Sequence, residues 1–82
     1  MDRVDIMVTR DVSVGGMFIN VGMPLPVGSE LSLTFRLSPT EPSISCRGKV
    51  VFSSVGLGMG VSFLDLNPEG KLALERFVDR IP

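Results

Sequence analysis

The residue types able to hold a small polar ligand converge on one stretch, Asp11-Val12-Ser13-Val14-Gly15-Gly16. An Asp carboxylate and a Ser hydroxyl beside glycine amides offer acceptors, a donor and bare backbone within a few residues. The same residues also build tight turns, because Asp and Ser side chains bond nearby backbone groups and glycine admits positive φ. Both readings, a ligand cradle and a purely structural connection, stand on these residues alone.

Other chemistries find little material. The chain has no histidine, and Cys46 is its only cysteine, so neither a zinc site nor an internal disulfide is expected. Cys46 also lacks a histidine partner to activate it as a nucleophile, and its strand parity with Ile44, Val50 and Phe52 reads as core packing. General acid–base catalysis needs a positioned His or tuned carboxylates, and only Asp11 stands in a suggestive context. No Gly-Lys-Ser/Thr phosphate loop occurs. A non-enzymatic protein without metal or cofactor is expected.

The eighty-two residues suit one small domain, residues 1–82, with 44% hydrophobic content. Eight basic and nine acidic residues are scattered singly, for a formal charge of −1 and a pI near 5.2. No basic stripe marks a polymeric nucleic acid as partner. No apolar run approaches the roughly 20 residues that span a bilayer, and no secretory leader is evident. The cytoplasm is the expected location.

The elements that must position the turn follow a period of two. Polar Glu30, Ser32, Thr34 and Arg36 alternate with apolar Leu31, Leu33, Phe35 and Leu37. Ile44, Cys46, Val50 and Phe52 share a face opposite Ser45, Arg47 and Lys49, and Leu57, Met59, Val61 and Phe63 oppose a nearly bare Gly58, Gly60 and Ser62. Strands are expected at about 4–9, 16–21, 30–37, 43–53 and 57–63, with Gly/Pro turns between them. The period then changes. Asn67 and Pro68 make a helix start, and Leu74, Phe77, Val78 and Ile81 recur at helical spacing, predicting a helix over about 68–80 that covers the sheet or, alternatively, meets a partner. Gly70 should weaken its first turn relative to alanine.

Taken with Met17-Phe18-Ile19, Pro24-Leu25-Pro26-Val27-Gly28 and Gly58-Met59-Gly60-Val61-Ser62-Phe63, the turn resembles that of the PilZ family, from Arg10 to Phe77. These β-barrel modules of bacteria include many receptors for cyclic di-GMP. The Pro-Leu-Pro-Val-Gly and Gly-Met-Gly-Val sequences look like those of a myxobacterial-type subgroup. The resemblance implies an all-β fold: a small antiparallel split barrel, partly open, with one C-terminal helix. It also implies that Asp11, Ser13 and Gly16, with Gly15 inside the motif, contact cyclic di-GMP. Arg10 adjoins the motif as a further contact, and Arg3 is a weaker candidate.

One departure stands out. Ligand-binding members carry an Arg-x-x-x-Arg segment ahead of the first strand, whereas Arg3 and Arg10 stand at another spacing. Either the segment has been cut off or the chain is a degenerate member. Paired arginines give bidentate bonds to phosphate and guanine; losing two charge-assisted bonds weakens binding by roughly two to four powers of ten. The expected role is a cyclic di-GMP-responsive receptor or adaptor with weak direct binding and a protein partner. The alternative is an interaction module that binds no nucleotide. A shortened first strand would leave a sheet edge open, which favours a homodimer.

Overall fold

The computed structural model describes residues 2–6 and 11–79. Its elements are β1 (Asp2–Ile6), β2 (Gly16–Ile19), β3 (Glu30–Phe35), β4 (Ile44–Ser54), β5 (Gly58–Phe63) and α1 (Pro68–Asp79). The five strands form one sheet in the order β1-β3-β4-β5-β2. Among the described residues β1 and β2 are its two edges, so the sheet is open between them, as a partly open barrel requires. Residues 7–9 of the first expected strand and Ile81 of the helical stripe lie outside the described residues.

The ladders β3/β4, β4/β5 and β2/β5 are antiparallel, whereas β1 runs parallel to β3, with Asp2 opposite Leu31 and Ile6 opposite Phe35. This departs from the wholly antiparallel expectation. Alternating polarity is the same in either direction, and only a short hairpin forces two strands to be antiparallel. No hairpin joins β1 to β3, since β2 and the proline-rich segment intervene in the chain.

The alternation puts Met17 and Ile19, then Leu31, Leu33 and Phe35, then Ile44, Cys46 and Val50, then Met59 and Val61 on one buried face. Phe35 stacks on Phe63 with centroids 5.6 Å apart. Gly48 lies among them because Leu33 and Val61 fill the space a side chain would take; a Cβ there would stand 2.9 Å from Leu33 Cδ1. Phe52 does not join this face. The β4/β5 register slips between Val50, opposite Val61, and Phe52, opposite Gly60. The extra residue, Val51, is a bulge that reverses the parity of the rest of β4, and Phe52 is left 48% exposed. Leu57 precedes β5 and is exposed as well.

Helix α1 closes the core with Leu74, which is fully buried, while Phe77 and Ala73 pack at its margin. Asn67 caps it: its Oδ1 accepts the Gly70 amide at 2.6 Å, and its carbonyl accepts the Lys71 amide at 2.9 Å. Gly70 is buried against β4, where an alanine Cβ would lie 3.2 Å from Ile44 Cγ2 and from Leu66 Cδ1. Close docking of the helix therefore offsets the weaker helix propensity of glycine.

Candidate functional site

The Asp11–Gly16 stretch is the turn of a small hairpin that leads into β2. The Asp11 carbonyl accepts the Phe18 amide at 2.9 Å, Val12 bridges Met17, and the Ser13 amide donates to the Gly16 carbonyl at 2.8 Å. The Ser13 hydroxyl donates to that same carbonyl at 3.3 Å. At the tip, the Gly15 carbonyl accepts the Phe63 amide at 2.9 Å and ties the turn to the end of β5. Gly16 has a steric duty: a Cβ there would collide with the Val61 carbonyl oxygen on β5.

Facing residues of an antiparallel pair project to the same side. Val12 and Met17 point inward to the core, so Asp11 and Ser13 project outward, where both are exposed. Asp11, Val12, Ser13, Gly16, Met17 and Phe18 line a shallow, open hollow of about 390 Å³. Among the described residues the Asp11 carboxylate has no hydrogen-bond or ion-pair partner. It is a free acceptor suited to the N–H groups of a base edge. Thus Asp11, Ser13 and Gly16 come together, with Gly15 exposed at the tip; Arg10 lies outside the described residues.

Arg3 stands on β1 with its Nε 3.4 Å from the Asp5 carboxylate. It lines a different hollow, of about 360 Å³, with Ser32, Thr34, Arg47 and Asp65. There Asp65 accepts both the backbone amide of Arg47, at 2.5 Å, and its Nε, at 2.9 Å. These two bonds hold the Asp65 carboxyl below its ordinary range, and the same partner raises the Arg47 guanidinium. Cys46 behaves as a core residue. Burial first, and the negative charge of Asp65 second, push its thiol up to about 11, so the thiolate is scarce at neutral pH.

Periodicity alone did not reveal what lies beside the turn on the outer face. Phe18 stands opposite Gly60 on β5, and Gly60 stands opposite Phe52 on β4, so Asp11, Phe18, Gly60 and Phe52 form one row across the sheet. In the next row Gly16 faces Ser62, and Ser62 faces Lys49. The bareness of Gly58, Gly60 and Ser62 was the visible signal, but the bulge that turns Phe52 outward left none.

Among the described residues no group of His, Cys, Asp and Glu could hold a metal ion, and no helix is long and apolar enough to cross a membrane. The family model described as the PilZ domain matches residues 4–80. No curated protein matches the chain.

Proposed function

Because the chain belongs to the PilZ domain family, whose members are binding and adaptor modules, we propose that it is a bacterial, cytoplasmic signalling module that responds to cyclic di-GMP and passes the response to a protein partner. The observation that carries this reading is the free, outward Asp11 carboxylate at the rim of an open hollow. In this reading Asp11 accepts from a guanine edge, the Gly15 and Gly16 backbone allows close approach, and Arg10 adds a cation. Ahead of Asp11 the sequence holds Arg3 and Arg10 but no Arg-x-x-x-Arg pair to clamp phosphate beside the turn, so in this reading its own affinity is low.

The second reading is an adaptor that binds no nucleotide. It draws on the fact that the Ser13 amide and hydroxyl are both already engaged with Gly16. It draws also on the exposed Met23, Val51, Val55 and Leu57, apolar surface that suits a protein contact. Calorimetric titration of the purified chain with cyclic di-GMP separates the two. Weak, saturable heat that Asp11→Ala abolishes supports the nucleotide reading. No binding up to millimolar ligand supports the adaptor without nucleotide.

A further inference from the structure

Resting on the nucleotide reading, we infer that the ligand surface extends from the Asp11–Gly16 turn across the outer faces of β2, β5 and β4, with Phe18 and Phe52 as a stacking platform for a purine base and Lys49 as the phosphate partner. The turn itself supplies an acceptor but neither an aromatic face nor a cation among the described residues. The two rows beside it supply both.

The Phe18 ring lies over the strip that glycines leave bare. A Cβ at Gly58 would stand 2.8 Å from Phe18 Cε2, and a Cβ at Gly60 would stand 3.5 Å from the Cβ of Phe52. The two rings meet at 6.3 Å between centroids with planes 40° apart, too close to admit a base between them. A base therefore stacks on their outer surface, next to the Asp11 carboxylate that reads its edge. The bulge at Val51 is what aims Phe52 outward, since uninterrupted alternation would have placed it in the core.

Lys49 is exposed, two strands away from Gly16 through Ser62. At the usual strand spacing this is about 10 Å, which a lysine stem shortens further. Glu30 stands opposite Lys49, yet among the described residues Lys49 makes no ion pair, whereas Arg47 and Arg3 are each engaged by an aspartate. Lys49 is thus a cation on the row of the turn that an anionic ligand meets without first breaking a pair. Ser62, between them, adds a hydroxyl.

The test is an NMR titration of the ¹⁵N-labelled chain with cyclic di-GMP, which reads weak binding residue by residue. The amides of Phe18, Gly60, Ser62, Phe52 and Lys49 should shift along the same binding curve as those of Asp11 to Gly16. Lys49→Gln should weaken binding about tenfold and flatten its salt dependence, whereas Lys71→Gln, on the exposed face of α1, should not. Phe18→Leu should weaken it by about five- to a hundredfold, the loss of a stacked base. The chain has no Trp or Tyr, so near-ultraviolet circular dichroism of the bound guanine reports stacking without a protein background from those residues. Loss of that signal in Phe18→Leu supports the platform. Shifts confined to residues 11–16, with Lys49→Gln binding like the wild type, overturn the extension and leave the nucleotide reading intact. An absence of shifts anywhere up to millimolar ligand overturns both.

Discussion

Phe18 and Phe52 meet across β5 with ring centroids 6.3 Å apart, and the residue between them on the sheet, Gly60, contributes no side chain. Two aromatic residues far apart in the chain thereby become one outer surface, half-exposed at Phe52, adjoining the Asp11 turn. Apolar rings on a small domain are ordinarily drawn inward. Here the register of three strands keeps them out.

The two polar residues of the turn should separate in their effects. Asp11→Ala removes an exposed carboxylate without a described partner, so stability should change by no more than about 0.5 kcal/mol while cyclic di-GMP binding falls. Ser13→Ala removes a hydroxyl that closes the turn on Gly16, so it should cost about 0.5–1.5 kcal/mol and reduce binding as well. Thermal melts alongside titrations make the comparison. Unfolding in Asp11→Ala with unchanged affinity would assign the motif to structure alone.

Gly16→Ala should be more damaging than either. Its Cβ would overlap the Val61 carbonyl, and backbone on β5 cannot rotate away as a side chain would. A loss of about 1–3 kcal/mol is expected. With roughly 4–8 °C per kcal/mol for a domain of this size, the melting temperature should drop accordingly. A variant as stable as the wild type would mean that β2 can shift relative to β5 without cost.

The Arg47–Asp65 contact should make stability depend on pH in acid. The Asp65 carboxyl is held below its unfolded value, so its contribution is present above that value and fades as pH falls through the folded one. Wild type and Asp65→Asn should therefore differ in denaturant midpoint at neutral pH and converge in acid. Both partners are exposed, so the difference should be small and should shrink with added salt. A gap that persists unchanged at low pH would attribute the effect to packing instead.

Self-association is expected through the outer edge of β1. Strand β1 has one neighbour, β3, and its other side offers unpaired backbone groups among the described residues. The helix is a poorer candidate, because Leu74 at the centre of its apolar stripe is already fully buried. Light scattering should show a dimer at high micromolar concentration, and Ile6→Lys should return it to a monomer. A clean wild-type monomer at that concentration would count against the edge.

Much of this arrangement was legible in the chain because each clue was local. Asn67-Pro68 announced the helix, alternating Leu31, Leu33 and Phe35 announced a half-buried strand, and Asp11-x-Ser13-x-x-Gly16 announced the turn. What was not legible depended on partners distant in the chain. The parallel course of β1 is set by pairing with β3, and nothing in Asp2–Ile6 encodes its direction. The outward Phe52 results from a register slip against β5, which leaves the alternation of Ser43 to Ser53 looking uninterrupted. The tight seat of Gly70 on Ile44 likewise requires the helix to be docked before it becomes visible.

The single extra residue at Val51 divides β4 into two reading frames, one that fills the core up to Val50 and one that dresses the surface from Phe52 onward. Substitutions can trim either half but cannot exchange them. Deleting Val51 would not exchange them either: Val50 and Phe52 would become consecutive, one inward opposite Val61 and the other still outward opposite Gly60. The one residue by which β4 outruns β5 here, rather than side-chain identity, is therefore what lets Val50 and Phe52, which share strand parity in the chain, stand on opposite faces of the sheet.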